Sequence, residues 1–281
     1  MTSLAIRKTS PGVGAEISGV DLRKLSDGEF DAIREAFSEH GVLFFRDQQL
    51  APEDHIRFAE RFGTININRF FKAVDGHAQI AEVLKEADQK YNIGGGWHTD
   101  HSYDLEPAQC SVLYAHEIPE TGGDTLFAGV GAAYDALSDD FREMLSGLRA
   151  VHSSRHVFGA EAHQGDLGEG RLGNASAATQ DATHPVVIAH PATGRPLLYV
   201  NPGFTIRIEG WSKLESTMLL DFLYAHIALP EFQTRFNWTP GALAMWDNRA
   251  TWHLALNDYP GQRRYLHRIT VEGGPLAAAT H

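Results

Sequence analysis

Apolar residues recur at helical spacing in three stretches of this chain. Phe30, Ile33 and Phe37 follow Ser26 and Glu29, which have capping-box spacing, and Gly41 ends the pattern. Pro52 suits a first helical position, Ile56, Ala59 and Phe62 form the next stripe, and Gly63 closes it. Ser212 and Glu215 repeat the capping-box spacing, with Leu219, Phe222, Leu223 and His226 placed on one face of a helix that packs outside a sheet. Elsewhere the apolar runs are short and bounded by Gly, Pro and Asn. Those at 42–46, 111–115, 148–151, 186–189, 197–200 and 242–246 predict strands, and their spacing predicts an antiparallel sandwich. The chain therefore reads as mostly β with flanking helices. Residues 155–183 are rich in Gly, Ala and polar side chains without a period, which predicts a mobile loop or lid.

Composition adds bounds. A chain of 281 residues buries enough surface to need no disulfide or metal staple, and one domain over 1–281 is expected. A formal charge of −12 argues against nucleic acid and anionic membrane surfaces as partners, while leaving small organic anions open through local arginines. The single cysteine, Cys110, and the lack of a leader-like or long apolar run predict a cytoplasmic protein.

Candidate chemistry begins at His98-Thr99-Asp100. In extended chain, residues two apart share a face, so the imidazole and the carboxylate can meet one ion. Among 15 histidines roughly one such pair is expected by chance, so the motif needs company. Three glycines, Gly94 to Gly96, lead into it, and His253 follows the apolar stretch around Trp246. Two histidines and one carboxylate with an open side suit mononuclear non-haem iron. The same donors suit zinc, so a zinc hydrolase is an alternative. Residues 264–271 read as a strand that places Arg264, Leu266 and Arg268 on one face, the two guanidinium groups ~13 Å apart along the backbone. Planar guanidinium forks suit carboxylates and sulfonates, so this face could grip two anions, or serve a non-catalytic anion-binding sandwich.

Several ordered stretches resemble the taurine dioxygenase family, which includes aryloxyalkanoate dioxygenases and alkylsulfatases. They are Gly14 to Leu22, Trp97 to Asp100, Thr121 to Thr125, Trp246 to Arg249 and Gln262 to Arg268. The resemblance covers nearly the whole chain. It implies a double-stranded β-helix (jelly-roll, cupin-like) core, with His98, Asp100 and His253 as iron(II) ligands. It further implies that 2-oxoglutarate and O2 are cosubstrates, with Arg264 and the Thr125 hydroxyl on the far carboxylate of 2-oxoglutarate. Arg268 matches an arginine that holds an anionic substrate group, and Phe158 and Phe204 match aromatic pocket positions. The implied reaction is hydroxylation of an aryloxyalkanoate, alkyl sulfonate or alkyl sulfate, with release of succinate and CO2, by a homodimer or homotetramer. Two positions depart from taurine-specific members: Asn68 stands where they have histidine and Gly94 where they have asparagine. The loss of both contacts, with Phe70, Phe71, Phe158 and Phe204 available as lining, favours a larger apolar substrate body and the aryloxyalkanoate branch.

Overall fold

The computed structural model describes residues 4–159 and 171–280. Its main sheet has nine strands. Along it run Ala5–Lys8, Ala15–Ser18, Val42–Phe45, Leu243–Asp247, Cys110–Glu117, Arg264–Val271, His77–Lys85 and Ala73–Val74, while Ile65–Asn66 pairs with the end of Arg264–Val271. All neighbours are antiparallel except Ala15–Ser18 with Val42–Phe45. A three-stranded sheet of Gln233–Phe236, Thr125–Gly129 and Thr251–Ala255 faces it.

Period-two alternation divides the main sheet's side chains between two cores. Val42, Phe44, Leu113, Ala115, Ala244, Trp246 and Leu266 point inward and meet Phe127 and Phe236 of the smaller sheet. Leu43, Phe45, Val112, Tyr114, Leu243, Met245 and Ile269 point outward, where Ile33, Phe37 and Phe58 of two helices cover them. The inner face is the one that carries Arg264 and Arg268, in phase with Leu266.

The covering helices form for local reasons that the sequence displays. Asp27–His40 starts from a complete capping box: the Glu29 amide donates to Ser26 Oγ and the Glu29 carboxylate accepts from the Ser26 amide at 2.9 Å. It stops at Gly41, whose φ of 72° suits a residue without Cβ. Pro52–Glu60 follows, with proline in its first turn. Lys213–Ile227 begins at the Ser212–Glu215 box. Its buried face differs from the expected stripe: Ser216, Leu219, Leu220, Leu223 and Ile227 face inward, whereas Phe222 is 47% exposed and rests on Phe141. Apolar residues on both sides of this helix made two stripes available, and tertiary contacts selected one.

The 155–183 stretch is less loop-like at its ends than expected. Arg155–Phe158 is a helical turn, Ala175–Ala177 a short 3-10 turn, and Asp181–Pro185 a strand paired with Arg149–Ser153. Residues 160–170 lie outside the described residues. Among the described residues, no helix is long and apolar enough to cross a membrane.

Candidate active site

His253 lies on the inner face of Thr251–Ala255, where its ring packs 4.6 Å from Trp246 and lies over Phe127. His98 joins that strand by a two-way backbone bridge, its amide donating to His253 O at 3.1 Å and its carbonyl accepting from the His253 amide at 2.8 Å. Asp100 lies in the turn that follows. The pair therefore converges through a single bridge and a turn rather than through strand alternation. One donor atom from each of His98, Asp100 and His253 lies within 4.8 Å of the others. His98 Nε2 is 3.9 Å from Asp100 Oδ1, and His253 Nε2 is 4.0 Å from Oδ2.

Protonation favours metal binding at this cluster. His98 Nδ1 donates to Gly96 O at 2.8 Å, which leaves Nε2 with its lone pair facing the cluster. Burial lowers the pKa of both imidazoles, that of His253 well below 6.5, so both rings are neutral at pH 7. Burial works against the Asp100 carboxylate, yet Arg268, His253 and His98 outweigh it and hold Asp100 ionised below the ordinary carboxylate range. Ser111 donates to Asp100 Oδ2 at 2.7 Å, and Asn248 donates to Ser111 at 3.3 Å. Ser111 passed unnoticed in the sequence as one residue of a strand; its in-phase position with Leu113 on the inner face was the available signal.

Beyond the cluster lies a mostly apolar cavity of about 330 Å³ whose wall includes His98, Asp100, His253, Arg264 and Arg268. Arg264 is 5% exposed; its Nε donates to Gly123 O at 3.1 Å, but Nη2 is buried without a partner among the described residues. Burial lowers its pKa, the direction expected for a cation that lacks a counter-ion. Trp238 links it to Thr125: the indole ring lies 5.7 Å from the guanidinium and its N–H donates to Thr125 Oγ1 at 2.9 Å. With that lone pair engaged, the Thr125 proton is free to donate. Trp238 was missed because it belongs to no strand and no motif.

Arg268 lies 4.3 Å above the Phe71 ring, its Nη1 is 3.4 Å from Asp100 Oδ1, and its Nε is buried without a partner among the described residues. Around it, Phe70 stacks on Phe158 at 4.3 Å and Phe204 meets Tyr103 at 4.8 Å. Tyr103, also missed in the sequence, lines the cavity with Phe71, Phe158 and Phe204. Asn68 lines it too, but its Oδ1 accepts from the Phe70 and Phe71 amides at 2.9 and 3.0 Å. Its side chain thus shapes the aromatic wall. Gly94, with φ of 81°, has only 3.3 Å between a would-be Cβ and His98 Cε1, so a side chain there would press on the ring.

Comparisons with known proteins extend over nearly the whole chain. The family model for the taurine catabolism dioxygenase TauD, TfdA family matches residues 5–270. An alkylsulfatase of Acinetobacter baylyi is 36% identical over 274 residues, covering 96% of this chain and 85% of that protein. An alpha-ketoglutarate-dependent 2,4-dichlorophenoxyacetate dioxygenase of Cupriavidus pinatubonensis is 32% identical, covering 96% and 98% of the two chains. The crystal structure of a taurine dioxygenase from Burkholderia xenovorans superposes with a TM-score of 0.82 at 35% identity, over 99% of this chain and 97% of that one. The facing sheets are accordingly a jelly-roll core.

Proposed function

Because the chain belongs to the TauD/TfdA family and is an iron(II)- and 2-oxoglutarate-dependent dioxygenase, we propose that His98, Asp100 and His253 hold the iron and that the substrate is an organic anion with an aryl or similarly bulky apolar body. The observation that carries this reading is the pair of buried arginines with unpaired nitrogens, Arg264 Nη2 and Arg268 Nε, beside the His–Asp–His cluster. Unpaired nitrogens on buried guanidinium groups are costly, and two carboxylate-like ligands would supply their missing acceptors.

Arg264, with the Thr125 hydroxyl, takes the far carboxylate of 2-oxoglutarate as a fork and a single donor. Arg268 takes the anionic group of the substrate, and the Phe71 ring beneath it fixes the plane of the guanidinium. Phe158, Phe204 and Tyr103 hold the apolar body and keep water from the reacting carbon. Asp100 and the two neutral imidazoles would hold iron(II) as a two-histidine, one-carboxylate set, the donor set that suits a non-haem iron with positions open to cosubstrate and oxygen. Iron and 2-oxoglutarate, when bound, supply the oxidising chemistry that places one oxygen atom of O2 on the substrate and the other in succinate, with loss of CO2. The protein's part is orientation and exclusion of water.

The aryloxyalkanoate class fits best because the wall is made of stacked and edge-on rings and because Asn68 turns its carbonyl into the backbone rather than toward the cavity. Identity to an alkylsulfatase supports alkyl sulfates as the second reading. Val157, Phe158 and Leu172, at the described ends of 155–183, line the cavity, which supports a role for that stretch in substrate binding. One domain, a cytoplasmic location and a homodimer or homotetramer complete the proposal. Succinate release is to be followed across 2,4-dichlorophenoxyacetate, hexyl sulfate and taurine. The aryl anion is expected to lead; preference for taurine would overturn the substrate reading.

A further inference from the structure

The turn between Val200 and Thr205 touches the surroundings of all three proposed metal ligands while contributing Gly203 and Phe204 to the cavity wall. Asn201, fully buried, is its centre. Its Oδ1 accepts from the Phe204 amide at 2.9 Å, and its Nδ2 donates to Ser102 Oγ at 3.0 Å, two residues beyond Asp100. Its backbone and Thr205 exchange two more bonds, at 2.9 and 3.0 Å. Gly203 presses on His98: a Cβ there would come within 2.7 Å of His98 Cβ. The Val200 carbonyl accepts from the indole N–H of Trp252, the residue before His253, at 2.8 Å. Phe204 is at once part of this turn and a wall of the cavity, 6.3 Å from the His98 ring.

We propose that Asn201 is a positioning residue that ties the aromatic wall to the ligand set, so that filling the cavity against Phe204 is transmitted to the segment carrying Asp100. The second half of this statement rests on the substrate reading above; the first does not. A buried amide suits the task because it fixes two partners in one plane, and leaving either unpaired would be costly. Phe204 cannot shift without drawing on the amide, and the amide cannot shift without drawing on Ser102.

Cobalt(II) binding to the metal-free protein, read by its visible spectrum under anaerobic conditions, tests the first half without turnover. Asn201→Ala is expected to weaken cobalt affinity by about tenfold, the scale of lost outer-shell support. Asn201→Asp should recover most of it, because a carboxylate still accepts from the Phe204 amide and the Ser102 hydroxyl can turn to donate. Wild-type affinity in Asn201→Ala, or no recovery in Asn201→Asp, overturns the proposal. Should Asn201→Ala fail to fold, Ser102→Ala removes the same link alone and must weaken cobalt binding in the same direction; unchanged affinity there overturns it too. For the second half, 2,4-dichlorophenoxyacetate is added to the cobalt and 2-oxoglutarate complex. In the wild type it should perturb the cobalt spectrum. In Asn201→Ala tryptophan fluorescence should still report binding while that perturbation is lost; an equal perturbation in both proteins overturns the transmission. A probe that leaves wild-type fluorescence unchanged refutes the substrate reading and leaves the affinity result standing.

Discussion

The two ends of the cavity are built differently. At one end, Arg264 and Arg268 stand on a strand paired on both sides, and His253 stands on a strand paired with Thr125–Gly129 on one side and bridged to His98 on the other. At the other, Phe71, Phe158 and Phe204 come from an isolated bridge to Leu172, a single helical turn and a turn, held in part by side-chain bonds such as those of Asn68 and Asn201. Ladder hydrogen bonds fix the first end irrespective of which side chains occupy it; the second end depends on individual side chains for its shape. The division suits an oxygenase whose chemistry is constant and whose substrate varies, since loops can change residues without disturbing the sheet.

The largest test of this division is at the metal. Asp100→Ala should abolish the weak visible band that iron(II) and 2-oxoglutarate give anaerobically and reduce succinate formation to background, while circular dichroism stays native. Retention of the band would place the metal elsewhere. Next, Arg264→Leu should raise KM for 2-oxoglutarate roughly a hundredfold, from about 2–3 kcal/mol for a desolvated ionic hydrogen bond, with little effect on binding of the organic anion. A parallel loss for both ligands would erase the distinction between the two ends. Smaller again, Phe158→Leu should cut kcat/KM for the aryl anion roughly fivefold, about 1 kcal/mol of ring contact, yet leave hexyl sulfate and 2-oxoglutarate nearly unchanged.

The mildest effect concerns neither end. Burial lowers His55, on the helix Pro52–Glu60, from 6.5 to about 3 and His267, on the outer face of the main sheet beneath it, to about 4. Below pH 6.5 the unfolded chain takes up protons that the folded one refuses, so this stability is present above 6.5 and declines as pH falls toward 4 and then 3. Urea unfolding of the metal-free protein at pH 7.5, 6 and 5 should show the decline, and His267→Gln should flatten it. A slope unchanged by His267→Gln would show that other groups control acid stability.

Legibility in the sequence follows the same division. The helix starts at Ser26 and Ser212 were readable because a capping box is written in four consecutive residues. The Arg264–Val271 strand was readable because its alternation survives across eight residues. His77–Lys85 was not, since Ile80, Val83 and Leu84 have helical spacing and only pairing with Arg264–Val271 makes the segment a strand. The His98, Asp100 and His253 cluster and both arginines of the cavity could be named from short motifs and their company. Trp238 and Asn201 could not: each acts through a partner distant in sequence, and an isolated Trp or Asn carries no sign of that partner, whereas Ser111 offered only its phase with Leu113.

One consequence concerns how ligands arrive. Arg264 and Arg268 lie inside a chain whose formal charge is −12, so an approaching anion meets repulsion before attraction. Dissolved salt shortens the reach of the outer field, to about 8 Å at physiological ionic strength, while the sheltered arginines are screened far less. Association should therefore speed up as salt is added over the low millimolar range. Most enzymes that capture anions with exposed basic funnels show the opposite trend.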